Sequence, residues 1–340
     1  MACIPIQVVT GGAGIIGLPL CKRLMDLGNH VVCVDNFSTT SRSNIDEAHK
    51  MHNDPTCNFR LVKADVREKF APIWTSPSFW GDSRQNEYKL VGIYHLACPA
   101  SPVQYLKDPY GTMMTCIKGT ELVLGWLGLA GSDCRLVVAS TSEIYGEPDV
   151  HPQDENYRGC VTTVGPRSCY DEGKRAMEAM CRSILDSPGG KDFDIGIVRI
   201  FNTYGPGEDL KDGRVINSFV VNAIMGKQIN IFGDGRQTRS FCFVDDLVLG
   251  LTAMGQKKGE FGPINLGNPE ELSVLDLAQM VKRITRSDSQ IVQRSARVDD
   301  PTRRCPNIDR ARNLLGWSPK VRLEDGLLKV VNYFNMELQK

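Results

Sequence analysis

The sequence predicts an α/β fold of the Rossmann type, a doubly wound parallel sheet, with a smaller and interleaved C-terminal lobe. β-Branched runs alternate with helical patterns over residues 1–200, as they do in βαβ units. A glycine-rich turn follows the first of these runs, and an acidic residue ends the second. We therefore place a sheet domain at 1–200 and a second lobe at 201–340, interleaved with the sheet around 236–265.

The glycine-rich turn, TGGAGIIG at 10–17, lies between a strand at 4–9 and a helical pattern. Glycines at this spacing let the turn tighten, let backbone approach a pyrophosphate, and let the helix pack closely on the strand. The N–H groups at the start of the helix then face the anion. A lone glycine pattern often marks only a turn, but here a second strand follows. The residues expected to contact a dinucleotide here are Gly11, Gly14, Ile15, Ile16 and Gly17.

The second strand, at 30–34, ends in Asp35, which is 24 residues after Gly11. A carboxylate at this strand tip can accept hydrogen bonds from the adenosine ribose and would repel a 2′-phosphate. This position favours NAD over NADP as the cofactor. The alternative is that Asp35 only begins a turn with Asn36. We also expect Asn36 to contact the cofactor.

Four later strands, at 59–64, 91–97, 135–139 and 194–200, complete the sheet. Ligands of open α/β sheets bind outside the carboxyl ends of the strands. The strand ends therefore predict four more cofactor contacts, at Asp65, Val66, Leu96 and Ala97. Residues 72–90 have no clear period and predict a surface insertion.

A helical segment at 168–176 places Tyr170 and Lys174 four residues apart, so both lie on one helix face. An ammonium near a phenol favours the phenolate, and a phenol with a pKa near 10 needs such help to act as a base at neutral pH. Tyr170 is therefore the candidate acid/base. Such pairs also occur by chance on amphipathic helices. The glycine turn and Thr141-Ser142-Glu143 at a strand end favour the catalytic interpretation.

Composition excludes several classes of function. Lys+Arg and Asp+Glu both total 40, so no global positive field favours nucleic acid or an anionic membrane. The twelve cysteines are scattered, without zinc spacing, which predicts a reducing compartment and no metal site. No apolar run approaches the ~18 residues of a membrane span. We expect a cytoplasmic protein.

With these parts in order, the chain resembles the extended short-chain dehydrogenase/reductase superfamily of nucleotide-sugar enzymes, and within it the UDP-glucuronate decarboxylases. The match is carried by stretches over nearly the whole chain, at 10–17, 98–102, 139–146, 165–175, 199–206, 212–215, 233–246, 265–271 and 299–309. Two departures are Cys98, where the family usually has serine, and Leu18-Pro19, where it usually has Ser-His.

The resemblance implies conversion of UDP-glucuronate to UDP-xylose and carbon dioxide through a 4-keto sugar, with NAD regenerated. Thr141 would bind the sugar 4-hydroxyl, Tyr170 would remove its proton, and Lys174 would hold the nicotinamide ribose and lower the pKa of the tyrosine. Glu143 would position the substrate carboxylate or a water that protonates C5. The resemblance also implies substrate contacts at Pro99, Ala100, Ser101, Tyr105, Ser142, Asn202, Arg214, Arg239 and Arg304.

Ser142 and Glu143 separate the subclasses that the resemblance brings together. Similar 4,6-dehydratases carry an aspartate at the position of Ser142, and simple 4-epimerases generally lack the glutamate at the position of Glu143. A decarboxylase that releases the 4-keto pentose and a non-catalytic NAD-binding sensor are further alternatives. The resemblance also implies an alternative to the cytoplasm, in which the chain is the trimmed lumenal domain of a Golgi-anchored form. The helices around 111–130 and 169–185 carry apolar residues on more than one face, and in similar enzymes the corresponding pair forms a homodimer.

Overall fold

The protein is described by a computed structural model over residues 3–81, 87–296 and 301–340. The strands of these residues, in chain order, are β1 (Cys3–Thr10), β2 (His30–Asp35), β3 (Phe59–Lys63), β4 (Glu87–His95), β5 (Arg135–Thr141), β6 (Asp194–Ile200), β7 (Thr203–Tyr204), β8 (Ile229–Phe232), β9 (Thr238–Ser240), β10 (Cys242–Phe243), β11 (Ile264–Leu266), β12 (Glu271–Ser273), β13 (Ile291–Arg294) and β14 (Arg303–Arg304).

The helices of the same residues are α1 (Gly17–Asp26), α2 (Arg42–Asn53), α3 (Pro77–Trp80), α4 (Pro102–Tyr105), α5 (Pro109–Ala130), α6 (Ser168–Asp186), α7 (Val215–Ile224), α8 (Val244–Gln256), α9 (Val274–Thr285), α10 (Asp309–Leu315) and α11 (Leu323–Glu337). Short 3₁₀ turns lie at Ile73–Thr75, Ser142–Tyr145 and Gly190–Asp192.

The main sheet has seven strands in the order β3-β2-β1-β4-β5-β6-β11, and every neighbouring pair is parallel. This order confirms the predicted doubly wound fold. The chain winds outward in one direction from β1 and in the other from β4. The carboxyl ends of these two strands therefore border the crevice in which such sheets bind ligands.

Alternation along the strands divides the core into two layers, because successive side chains of a strand point to opposite sides of the sheet. Val9 and Cys33 belong to one buried cluster, and Val8 and Val32 belong to the other. The first cluster continues into α7, α8, α9 and α11, so the C-terminal helices share a core with one face of the sheet.

The predicted surface insertion at 72–90 instead contains two buried tryptophans where the structure describes it, and its residues from 87 onward begin β4. Trp74 and Trp80 are 1% and 7% exposed, and the Trp80 indole donates to the Trp74 carbonyl at 2.8 Å. Trp74 also packs edge-on against Trp126 of α5. Large aromatic rings gain the most from burial, and they override the polar composition around them. Residues 82–86 of the predicted insertion lie outside the described residues.

The chain returns to the sheet after leaving it at β6. Helix α8 packs against β5 and β6, and β11 pairs with β6 at the sheet edge. This return, over 244–266, falls in the region where the sequence predicts interleaving. Among the described residues, no helix combines the length and apolar character that crossing a bilayer requires.

Candidate active site

Two adjoining cavities open at the carboxyl edge of the sheet. We call them the glycine-turn cavity, which contains Gly11 and Asp35 in its wall, and the tyrosine cavity, which contains Tyr170 and Glu143 in its wall. The residues that line both cavities are Ile16, Leu96, Cys98, Ala100, Glu208 and Arg214. A ligand with two linked parts therefore fits across this shared boundary.

The glycine turn is too closely packed for side chains at two of its positions. Gly11 has φ of +67°, and a Cβ there would lie 2.9 Å from the Ala97 nitrogen. A Cβ at Gly17 would lie 2.1 Å from the Gly11 carbonyl oxygen. Both clashes are with backbone, so no rotamer change relieves them. The turn keeps bare backbone at the start of α1, as pyrophosphate binding requires.

Gly17→Ala is expected to lower the affinity for NAD by about tenfold or more, because the turn must open to admit the methyl group. Isothermal titration with NAD measures this effect. Gly125→Ala is the matched control, since a Cβ at this position in α5 would meet no atom within 4 Å. Equal NAD affinity in the Gly17→Ala variant and the parent protein would contradict the proposed role of the turn.

Asp35 is held by three donors. Its carboxylate accepts from the Ala13 nitrogen at 3.0 Å, the Phe37 nitrogen at 2.7 Å and the Thr40 hydroxyl at 3.2 Å. Burial raises the pKa of Asp35, and these hydrogen bonds oppose the shift. The carboxylate connects β2 to the glycine turn through Ala13, and it lines the cavity where a ribose is expected.

Nearly all predicted cofactor residues line one of the two cavities. Those in the wall of the glycine-turn cavity are Gly11, Gly14, Ile15, Ile16, Gly17, Asp35, Asn36, Val66, Leu96 and Ala97. Asp65 is absent from both walls as far as the described residues show. Its carboxylate accepts from Arg67 and Asn36, and the Arg67 hydrogen bond lowers the pKa of Asp65 to about 2.

Tyr170, Lys174 and Thr141 meet at the floor of the tyrosine cavity. The Tyr170 ring stacks on Tyr105 with centroids 5.0 Å apart, and its hydroxyl hydrogen-bonds the Thr141 side chain. The Lys174 Nζ lies 5.9 Å from the Tyr170 ring centroid and donates to the Ala139 carbonyl at 2.6 Å. The helical spacing thus brings the predicted pair together beside the strand end that carries Thr141.

The predicted direction of the Tyr170 pKa is wrong for this structure. Burial raises it well above its usual range, the charges on Cys98, Cys116 and Glu143 raise it further, and the Thr141 hydrogen bond lowers it. The Lys174 ammonium is directed at a backbone carbonyl, so it does not offset this desolvation. Tyr170 is therefore a proton donor at neutral pH until a ligand changes its surroundings.

Glu143 lies among three guanidinium groups. It forms an ion pair with Arg167, and its Oε2 is 3.6 Å from the Arg304 Nη2. Burial raises the pKa of Glu143, but Arg167, Arg304 and Arg239 outweigh this effect and lower it. Three cations around one carboxylate leave a surplus of positive charge in a partly desolvated cavity, where an anionic ligand is favoured.

Arg304 is 1% exposed, and its Nη1 donates to the Ser142 carbonyl at 2.9 Å. Its Nε and Nη2 find no hydrogen-bond partner among the described residues. Strand pairing sets this position, because Arg304 of β14 lies opposite Arg239 of β9. Arg304 belongs to the stretch 299–309, one of those on which the family resemblance is based. Residues 299 and 300 of this stretch lie outside the described residues.

Most other predicted substrate residues also line the tyrosine cavity, namely Ala100, Tyr105, Ser142, Asn202, Arg214, Arg239 and Arg304. Pro99 and Ser101 line the glycine-turn cavity instead, because the chain turns toward α5 after β4. Sequence reasoning missed Arg167 and Glu208. Arg167 precedes Tyr170 by three residues, a spacing that could have indicated it, and Glu208 forms an ion pair with Arg214 at 3.1 Å.

The site has the parts of a dinucleotide-dependent oxidoreductase. Within 3–81, 87–296 and 301–340, no group of three or more His, Cys, Asp or Glu side chains is placed to hold a metal ion. The glycine turn and Asp35 fit an NAD molecule, since backbone is bare where the pyrophosphate lies and a carboxylate stands where the ribose lies.

Fold and site together define a Rossmann-type, NAD-dependent enzyme with a tyrosine, a lysine and a threonine at the floor of one cavity. A family model described as the NAD dependent epimerase/dehydratase family matches residues 7–267. The chain belongs to this family. The predicted cofactor, NAD, is thereby confirmed.

Among the members of this family, the chain is similar over nearly its whole length to UDP-glucuronic acid decarboxylases. UDP-glucuronic acid decarboxylase 1 of Xenopus tropicalis is 42% identical over 98% of this chain and 72% of its own length. UDP-glucuronic acid decarboxylase 4 of Arabidopsis thaliana is 43% identical over 97% of this chain and 69% of its own length.

Solved structures share the fold over nearly their full length. UDP-glucose 4-epimerase of Thermotoga maritima, solved with UDP-glucose, has a TM-score of 0.82 and 26% identity, covering 98% of this chain and 99% of its own. UDP-glucuronic acid 4-epimerase of Bacillus cereus, solved with UDP-glucuronic acid and NAD, has a TM-score of 0.81 and 26% identity, with the same coverage.

Proposed function

We propose that the protein is an NAD-dependent UDP-glucuronate decarboxylase that forms UDP-xylose and carbon dioxide. The observation that carries this proposal is the position of Glu143 among Arg167, Arg239 and Arg304, beside Tyr170. A sugar acid joined to a diphosphate brings three or more negative charges, and the surplus arginines match them with charge-assisted hydrogen bonds. The names of the relatives give independent support.

Tyr170 and Thr141 handle the proton of the sugar 4-hydroxyl. The chemistry that NAD supplies when bound is reversible acceptance of a hydride. A ketone at C4 places the carboxylate β to a carbonyl, so loss of carbon dioxide leaves an enolate whose charge the ketone oxygen carries. Tyr170, protonated at this stage, donates to that oxygen.

Protonation at C5 completes the exchange of carboxylate for hydrogen. Glu143 accepts hydrogen bonds and holds a low pKa, so it orients a proton-bearing water rather than donating its own proton. A dehydratase needs a neutral acid to protonate a departing hydroxyl, and an ionised Glu143 beside Ser142 does not provide one. The arrangement therefore suits decarboxylation better than dehydration.

Incubation with UDP-glucuronate and NAD, followed by NMR of the products, tests the proposal. We expect UDP-xylose with no net consumption of NAD. A 4-epimerase would give UDP-galacturonate, and a decarboxylase that releases its intermediate would give a 4-keto pentose and NADH. Either of these products, or an unchanged substrate, would contradict the proposal. Epimerisation is the alternative reaction that this experiment most needs to distinguish, because the 4-epimerase of Bacillus cereus was solved with UDP-glucuronic acid.

We also propose a homodimer formed through α5 and α6, which pack against each other. Tyr110 and Leu129, near the two ends of α5, are each 75% exposed. Large apolar side chains along one helix favour a partner surface. Light scattering should give twice the chain mass of 37.7 kDa. A mass of one chain at micromolar concentration would contradict the dimer.

The compartment remains a prediction from the cysteines, all twelve of which are free thiols. Many cysteines without disulfides are typical of proteins in a reducing environment, so we favour the cytoplasm over the lumen of a secretory compartment.

A further inference from the structure

Two cysteines face each other at the boundary between the two cavities. The Sγ atoms of Cys98 and Cys116 lie 3.3 Å apart. Cys98 follows β4 and lines both cavities, whereas Cys116 is a fully buried residue of α5. The sequence separates them by 18 residues. The cysteines are scattered in the sequence, and only the fold brings these two together.

We propose that Cys98 and Cys116 form a reversible disulfide under peroxide, and that this modification switches off the active site. A disulfide has an S–S length of about 2.05 Å, so the two sulfur atoms need to approach by little more than 1 Å. Cys98 supplies access for the oxidant from the cavity, and Cys116 supplies the second thiol from within the core.

The electrostatics of the pair support this chemistry. The Cys98 hydrogen bond lowers the pKa of the Cys116 thiol to about 7, burial opposes that shift, and the Lys174 ammonium adds to it. The pKa of Cys98 is raised by its hydrogen bond with Cys116 and by burial. The pair therefore shares one proton near neutral pH, and a thiolate is the reactive form toward peroxides.

The reaction balances with hydrogen peroxide as the oxidant. The shared proton passes to Cys116, and the Cys98 thiolate attacks a peroxide oxygen; an S–O bond forms, the O–O bond breaks, and the departing hydroxide takes the proton from Cys116 and leaves as water. The Cys116 thiolate then attacks the Cys98 sulfenic sulfur, so that an S–S bond forms, the S–O bond breaks, and the departing hydroxide takes a proton from solvent to leave as a second water. Two thiols lose two electrons in total, and an added dithiol reverses the reaction.

Packing explains why this bond would stop turnover. Cys98 directly follows the Leu96–Ala97 segment, which packs against Gly11. A Cβ added at Gly11 would lie only 2.9 Å from the Ala97 nitrogen. On the other side, a Cβ at Gly173 would lie 3.3 Å from the Cys116 Sγ, in the helix turn between Tyr170 and Lys174. A displacement of about 1 Å at either place can reduce turnover by about 10²-fold.

The test treats the full-length protein with hydrogen peroxide and then maps its peptides by mass spectrometry without reduction. We expect a Cys98–Cys116 cross-linked peptide, about tenfold weaker NAD binding and about 10²-fold lower turnover, all restored by dithiothreitol. Cys98→Ser and Cys116→Ala should each abolish the cross-link, and the NAD affinity of each variant should be the same before and after peroxide. Cys160→Ser, which changes an exposed cysteine, should respond as the parent does.

The turnover readout rests on the proposed decarboxylation, but the cross-link and the NAD affinity do not. A protein that lacks decarboxylase activity can therefore still confirm or overturn the disulfide. Absence of the cross-link, a cross-link to Cys169 in its place, or a cross-link that leaves NAD affinity unchanged would overturn the inference. Circular dichroism of each variant verifies that the comparison is made between folded proteins.

Discussion

Tyr170→Phe is expected to lower kcat by about 10³-fold while leaving NAD affinity close to that of the parent. The substitution removes only the hydroxyl that hydrogen-bonds Thr141 and keeps the ring that stacks on Tyr105. Proton transfer by a positioned side chain contributes about 10²- to 10⁴-fold to rate.

The pH profile gives this prediction a second readout. A base acts only when it is deprotonated, and burial raises the pKa of Tyr170. Turnover of the parent should therefore increase as pH rises through the neutral range, and the residual activity of Tyr170→Phe should lack this increase. Tyr157→Phe, outside both cavities, serves as the control and should turn over normally. Unchanged kcat in Tyr170→Phe would remove the tyrosine from the mechanism.

Arg304→Ala is expected to lower kcat/KM for UDP-glucuronate by about 10²- to 10³-fold. The substitution removes a fully buried cation that is 3.6 Å from Glu143 and whose Nε and Nη2 have no hydrogen-bond partner in the described structure. Loss of this cation leaves the Glu143 charge less compensated and deprives an anionic ligand of its most desolvated donor.

Steady-state kinetics and thermal unfolding measure the effect of Arg304→Ala together. Arg303→Ala is the matched control, because Arg303 is the preceding residue of the same strand and is exposed. We expect the control to retain kcat/KM. Arg304→Lys should restore only part of the loss, since an ammonium cannot donate to two oxygens of an anion in parallel. Normal kinetics in Arg304→Ala would contradict the arginine cluster as the substrate site.

The parts of the site that depend on local spacing could be predicted from the sequence. The glycine turn, Asp35 at a strand tip and the Tyr170–Lys174 pair each follow from residues close together in the chain. Strand and helix periods fix which side chains share a face over such distances. These residues line the two cavities at the carboxyl edge of the sheet.

Contacts between distant segments could not be predicted in this way. Burial of Trp74 and Trp80 contradicts the polar pattern around them, and burial also reverses the expected direction of the Tyr170 pKa. Sequence shows which groups can ionise, but desolvation depends on what the whole chain packs around them.

By itself, the sequence determined the Rossmann sheet, the cofactor and the Tyr170–Lys174 spacing on one helix, because short-range periodicity and turn chemistry specify them. Only the tertiary structure decided that Arg167, Arg239 and Arg304 surround Glu143 and that Cys98 meets Cys116. The register of β14 on β9 sets Arg304 beside Arg239, and the packing of α5 beneath the end of β4 sets the two sulfur atoms in contact. Strand register and helix packing are fixed by burial summed over the whole core, which no single stretch of sequence contains.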